Sequence, residues 1–141
     1  MVPTRWRETS VATTINNVTT DRAGQVGSGG APEWRGNISA DYRTPQFSVG
    51  ALVRFVDGGT YDNTYVEGID INDNSVSGRT YLDFNGAFHI NDNFEVFGKV
   101  NNVMNVDPPA TPQVLAGSLY AGSSHYDRIG RFYTGGVRMR F

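Results

Sequence analysis

Polar and apolar residues alternate with a period of two in most of this chain. The clearest stretch is WRGNISADYR. Trp34, Gly36, Ile38, Ala40 and Tyr42 share one face, and Arg35, Asn37, Ser39, Asp41 and Arg43 share the other. Alternation of this kind marks a strand with two unlike faces. It recurs in QFSVGALVRFVD, where Phe47, Val49, Ala51, Val53 and Phe55 oppose Ser48, Gly50, Leu52, Arg54 and Val56. RTYLDFNGAFHI sets Leu82, Phe84, Gly86, Phe88 and Ile90 against Tyr81, Asp83, Asn85, Ala87 and His89. NFEVFGKVNN sets Phe94, Val96, Gly98 and Val100 against Glu95, Phe97, Lys99 and Asn101. At the end, Tyr133, Val137, Met139 and Phe141 alternate with Thr134, Arg138 and Arg140. A weaker first stretch, RWRETSVATTINNV, carries Val11, Thr13 and Ile15 on its apolar side. No stretch has convincing helical periodicity. The pattern predicts strands over roughly 6–18, 33–43, 46–57, 79–91, 93–103 and 131–141. A shared register puts every apolar face on one side of a single antiparallel sheet.

The connections alternate in length. Thr44-Pro45-Gln46 and Asn91-Asp92-Asn93 are tight, turn-forming triplets. The others run roughly from Thr19 to Pro32, Gly58 to Gly78 and Met104 to Gly130, and are rich in Gly, Asp, Asn, Ser and Pro. In an up-and-down meander all short turns then fall at one end and all long loops at the other. The fold class is therefore all-β, an antiparallel meander of about six long strands.

Two solvents could meet the apolar face. A soluble sandwich or small barrel also shows alternation. The predicted strands, however, run about 10 to 12 residues. A tilted strand needs about 9–11 to cross a bilayer, whereas strands in soluble sheets commonly have about 5–6. Aromatics cluster at strand ends on the apolar side: Trp34, Tyr42, Phe47, Phe55, Phe94, Tyr133 and Phe141. Interfacial girdles of membrane barrels have this placement. Arg35, Asp41, Arg43, Arg54, Asp83, His89, Glu95, Lys99, Arg138 and Arg140 all point the other way. So many ionisable groups cannot share a dry core, but they can face a water-filled lumen, or bulk water on the solvated face of a soluble sheet. Arg35, Asp83, Lys99 and Arg138 are then expected to be solvent-accessible on the concave side, some of them in cross-strand pairs.

Composition narrows the function. Glycine is 17 of 141 residues, which suits a turn-rich β protein. The net charge of -2 and the scattered basic residues argue against nucleic acid. There is no cysteine, hence no disulfide framework, thiolate metal site or cysteine nucleophile. MVPTRWRETS lacks the apolar core of a signal peptide. No apolar run of helix-spanning length exists, a test blind to membrane barrels.

Candidate chemistry is sparse. Asp70-Ile71-Asn72-Asp73-Asn74 begins like a calcium loop, but Ser75 and Tyr81 stand where Gly and Glu are needed. His89 and His125 have no sequence neighbour that would complete a metal site. Ser123-Ser124-His125 lacks a nucleophile elbow. Gly27-Ser28-Gly29-Gly30 is loop rather than phosphate cradle. Tyr61, Tyr65, Tyr120 and Tyr126 lie in long loops, where packing is the plainer role and ligand stacking the alternative. The expectation is a non-enzyme with no cofactor and no metal.

The last sixty or so residues resemble the carboxyl-terminal end of TonB-dependent outer-membrane receptors. The resemblance rests on Tyr81 through Ile90, the Asn91-Asp92-Asn93 turn, and FEVFGKVNNVMN. There Lys99 to Asn105 is similar to that family's strand followed by Asn-Leu-Phe-Asp, with Val and Met replacing Leu and Phe. Tyr126 to Tyr133 is similar to the family's Gly-Arg-x-Tyr lead into its last strand, and Trp34-Arg35-Gly36-Asn37 to the start of an earlier one. The resemblance implies a segment of a transmembrane β-barrel in a Gram-negative outer membrane, with short periplasmic turns and long extracellular loops. Residues 1–141 would be a carboxyl-terminal barrel segment without plug or signal peptide. It would not transport by itself, because family barrels have about 22 strands. Arg35, Asp41, Arg54, Asp83, Glu95, Lys99, Arg138 and Arg140 would face the lumen. Trp34, Phe84, Phe88, Phe94, Tyr133, Met139 and Phe141 would face lipid, with Phe141 also the signal read by the barrel assembly machinery. Implied partners are outer-membrane lipid and the remainder of the receptor, whose plug contacts TonB. The cargo class would be siderophore, heme, cobalamin or oligosaccharide. A soluble β-sheet ligand-binding module and a small oligomeric outer-membrane barrel are the alternatives.

Overall fold

Thr44 closes the first tight turn with its own hydroxyl. Its Oγ1 accepts the Phe47 amide at 2.9 Å and donates to the Phe47 carbonyl at 3.0 Å. The second turn uses Asn91, whose Oδ1 accepts the Asn93 amide at 2.9 Å. Side chains that cap the backbone in this way make turns short and fix strand register.

The computed structural model describes residues 12–15, 18–27, 30–110 and 125–141. It contains nine strands: β1 (Ala12–Ile15), β2 (Val18–Asp21), β3 (Arg35–Arg43), β4 (Phe47–Val56), β5 (Gly59–Thr60), β6 (Ser75–Val76), β7 (Arg79–Asn91), β8 (Phe94–Asn101) and β9 (Phe132–Met139). One sheet has the order β3-β4-β7-β8-β9, antiparallel throughout. The expected meander of long strands is therefore present, with no helix and no Greek-key crossover among the described residues.

The register aligns the two faces across all five strands. Ile38 stands opposite Val53, and Val53 opposite Leu82. Phe88 stands opposite Val96, and Val96 opposite Val137. On the other face, Asp41, Gly50, Asn85, Lys99 and Thr134 form one row from edge to edge. A shift between His89 and Asn91 ends the alternation beside the second turn. The closing strand is held past its last ladder pair. The Arg140 amide donates to the Asn93 carbonyl at 3.0 Å, and Asn93 Nδ2 donates to the Arg140 carbonyl at 2.9 Å.

Among the described residues the sheet has five strands, not six. The expected first strand over 6–18 lies partly outside the described residues. Its described part pairs with β2 in a separate two-stranded sheet, Ile15 opposite Val18, and does not join β3. The long connection 58–78 contains a further short hairpin, β5 with β6.

The buried apolar residues sit at the long-loop end. Val26, Val56, Tyr61, Val76 and Tyr126 form one cluster, with Tyr65 and Ile71 packed against it. Packing is thus what Tyr61, Tyr65 and Tyr126 do here, while Tyr120 lies outside the described residues. Burial is the main cause raising the pKa of Tyr126, with Tyr81 adding to it. The hydroxyl stays protonated and donates to the Asp57 carbonyl at 3.1 Å. Gly59 lies tight against the Gly24 backbone. A Cβ there would lie 2.0 Å from the Gly24 carbonyl oxygen, a backbone atom that cannot swing aside. Gly59→Ala is expected to destabilise the loop cluster by about 1–3 kcal/mol through overpacking. Urea titration of the refolded chain, read by tyrosine fluorescence, checks it.

Among the described residues, neither two-stranded sheet packs across the large one. Large apolar side chains on its apolar face stay open: Ile38, Tyr42, Val49, Phe84, Phe88, Val96, Val137 and Met139. β4 has 10 residues, about 34 Å at strand rise. At the usual barrel tilt that is about 24 Å of height, against an apolar band of about 25 Å.

Candidate functional site: the polar face of the sheet

The polar face carries two charged clusters, one near each end. The larger, at the long-loop end, is built around Arg54 on β4. Its Nε donates to Asp83 Oδ2 at 2.9 Å and its Nη2 to Asp83 Oδ1 at 3.1 Å. This two-point grip fits the planar guanidinium to the carboxylate. Nη2 also donates to Asp127 Oδ2 at 3.1 Å. The guanidinium carbon sits 5.1 Å from the centre of the Tyr81 ring, within cation–π range.

Asp83 is the centre of this network. Its Oδ1 also accepts the Asn102 amide at 2.8 Å. Asn102 has a positive φ of 49° and is fully buried. Asparagine tolerates that conformation better than most residues. Its side chain holds the following turn at both ends, accepting from the Val106 amide and donating to the Val106 carbonyl, each at 2.9 Å. Three residues later, Asn105 repeats the device: φ is 52°, and its Oδ1 accepts the Arg131 amide at 2.9 Å. Asp127 is tied by its backbone as well, its amide donating to the Tyr81 hydroxyl at 3.2 Å. The segment leading into β9 is thereby fixed to β4, to β7 and to the turn after β8.

The expectation that Asp83 would be accessible is corrected here. It lies on the polar face but is only 3% exposed. Arg54, the Asn102 turn and the Asp127 segment cover it; no second sheet does. Arg35, Lys99 and Arg138 are exposed.

The second cluster lies beside the Asn91-Asp92-Asn93 turn. Arg138 Nη1 donates to Glu95 Oε1 at 2.6 Å, and His89 Nδ1 lies 3.2 Å from Glu95 Oε2. These three are directly opposite one another across β7, β8 and β9. Arg140 lines the same recess. Phe97, an aromatic on this face, covers Gly136 on the neighbouring strand; a Cβ there would meet its ring at 2.7 Å. Arg138 in turn lies over Phe97, 5.7 Å from the ring centre.

Of the other expected positions, Asp41 is exposed on the polar face. On the apolar face Trp34, Phe84, Phe88, Phe94, Tyr133 and Met139 are all more than a third exposed, and Phe141 is fully so. Among the described residues no group of His, Cys, Asp and Glu could hold a metal ion. The acidic loop behaves as a set of turn caps. Asp70 accepts the Val66 amide, and Asp73 accepts the Ser75 hydroxyl and amide. The Ser75 hydroxyl bond, then its amide bond, lowers the Asp73 pKa.

An open hollow of about 370 Å³ adjoins the Arg54 cluster, lined by Leu52, Lys99, Asp127, Ile129 and Phe132 among others. Sequence reading singled out neither Asp127 nor Asn102 by chemistry. Both nevertheless stand in the two short motifs that carried the resemblance, and the bonds above give those motifs a structural purpose.

No protein-family model and no curated protein sequence matches the chain. Solved structures do. A glycine-to-valine mutant of the ferric enterobactin receptor (PfeA) from Pseudomonas aeruginosa matches with 21% identity and a TM-score of 0.53, over 77% of this chain and 16% of that one. A glutamine-to-alanine mutant of the same receptor, in complex with enterobactin, matches with 19% identity and a TM-score of 0.54, over the same shares. The chain thus spans about a sixth of the length of these receptors. What it shares with them is the fold of that portion.

Proposed function

We propose that this chain is the carboxyl-terminal wall segment of the barrel of a TonB-dependent outer-membrane receptor. One observation carries the reading: five long strands present a continuous apolar face that nothing in the described chain covers, and gather their charges on the opposite face. A water-soluble monomer rarely exposes so broad an apolar patch. Outer-membrane lipid is the cover proposed for it. The charged face lines the lumen, and the remainder of the receptor supplies the plug, the TonB contact and the other strands.

Strand parity favours that remainder over extra copies of this chain. Among the described residues β3 and β9 are the two edges of the sheet, and with five antiparallel strands they run in the same direction. Copies joined side by side, loops together, would pair β9 with β3 parallel. Outer-membrane barrels are antiparallel. The closing segment must bring an odd number of strands. Among cargo classes, the match to receptors named for ferric enterobactin supports the siderophore class. Uptake belongs to the whole receptor and not to this segment alone.

The test is a chimaera in which residues 32–141 replace the corresponding segment of a ferric enterobactin receptor. It should reach the outer membrane as a heat-modifiable barrel. Phe141→Ala in that chimaera should cut outer-membrane levels several-fold. Its effect on the refolded protein's stability should stay within the roughly 1.5–3 kcal/mol of one buried aromatic. A chimaera degraded before assembly would contradict the reading. Unchanged surface levels in the Phe141 variant would reduce that residue to packing.

A further inference from the structure

Arg54 holds its two carboxylates unequally. Asp83 grips it at two points and is locked in turn by the Asn102 amide. Asp127 holds it by one bond of 3.1 Å, from a loop segment, at the edge of the hollow. Its other oxygen merely accepts the Ile129 amide at 3.1 Å. Across the hollow, Lys99 is exposed and makes no ion pair among the described residues. Leu52, Ile129 and Phe132 supply apolar walls, with Ile129 and Phe132 largely open although they flank a charged cluster. The volume of about 370 Å³ falls within the roughly 300–1,000 Å³ of small-molecule sites.

We propose that this hollow binds a small aromatic carboxylate, which takes the place of Asp127 on Arg54, pairs with Lys99 and lays its ring against Phe132 and Ile129. Charge supports the exchange. With Asp127 in place, two cations face two carboxylates; an incoming carboxylate keeps that balance while Asp127 swings to water. Arg54 needs no reorganisation, because Asp83 already fixes its plane, and preorganisation of this sort favours binding. Release of Asp127 also loosens the segment leading into β9, so occupancy is coupled to the mobility of that loop. The proposal stands on the polar-face geometry and not on the receptor reading.

Benzoate is the probe, titrated into the refolded chain in detergent micelles, with benzyl alcohol as its uncharged control. Benzoate should bind saturably and benzyl alcohol should not. The Asp127 amide, bonded to the Tyr81 hydroxyl, should lose hydrogen-exchange protection on binding, while β4 and β7 amides keep theirs. Asp127→Asn, which removes the internal competitor and keeps its shape, should tighten binding about tenfold, the scale of one charge-assisted hydrogen bond. Lys99→Met should weaken it by a similar factor. If Asp127→Asn leaves affinity unchanged or lowers it, or if Lys99→Met has no effect, the site as proposed does not exist. Binding detected only in the Asp127→Asn chain would mean that Asp127 is not displaced, and would overturn the exchange. An equal response to benzyl alcohol would reduce the hollow to an apolar crevice and overturn it.

Discussion

Asp83→Ala should cost the refolded chain about 3 kcal/mol, near the lower end of the roughly 3–5 kcal/mol for breaking a buried ion pair from one side. The lower end applies because Arg54 is one-third exposed and can recover water, whereas the carboxylate it loses is 5% exposed. The Asn102 amide has no such recourse. It is buried and loses its acceptor at 2.8 Å, and an orphaned buried donor alone costs about 1–3 kcal/mol. Asp127→Ala removes one bond to the same guanidinium from a more exposed position and should cost about 1 kcal/mol. The ordering, more than either value, is the check: urea midpoints should fall as wild type, Asp127→Ala, Asp83→Ala. Equal effects of the two changes would mean that Asp83 is not the centre of the network.

Phe84→Arg should destabilise the chain in lipid by about 2–4 kcal/mol, the cost of a cation on the lipid face near mid-membrane. Asn85→Arg, one residue on and on the polar face proposed to line the lumen, should change it by less than about 0.5 kcal/mol. Phe84 lies between Ala51 and Val100 near the middle of the sheet and is 45% exposed. In water, an arginine at so open a site would cost little. A penalty at position 84 that is absent at 85 therefore measures the surrounding solvent and not the packing of the chain. Unfolding from liposomes reads both variants, and comparable effects at the two positions would argue for a water-facing sheet.

The large sheet was legible because period-two alternation reports both strand and face, and strands that share a register share a sheet. Phe47 to Val56 and Arg79 to Asn91 came through with boundaries within a residue or two. The hairpin at Ala12–Asp21 did not, since Val11, Thr13 and Ile15 alternate equally well in a short hairpin and in a long wall strand. Alternation cannot say which partner a strand finds. Asp83 shows the same limit on the polar face. Its side was readable from parity, but its burial depends on Asn102 and Asp127, which approach from loops after β8 and before β9, 19 and 44 positions away in the sequence. Cross-strand pairing of Arg138 was expected without a named partner, because the register that brings Glu95 to it, 43 residues away, comes from the fold. The loop tyrosines were assigned to packing on general grounds, and the shared cluster of Tyr61 and Tyr126 with Val26 and Val76 gives the particular reason.

The central claim is that one face of this sheet meets lipid and the other meets water. The chain contains no cysteine, so single cysteines can be placed one at a time from 84 to 88 along β7, beyond the buried Asp83 and short of the register shift after His89. Each carries a fluorophore, and the refolded protein is exposed first to a lipid-borne quencher and then to a water-soluble one. Labels at 84, 86 and 88 should be quenched from lipid, and those at 85 and 87 from water, in strict alternation. Quenching from water at every position would contradict the account.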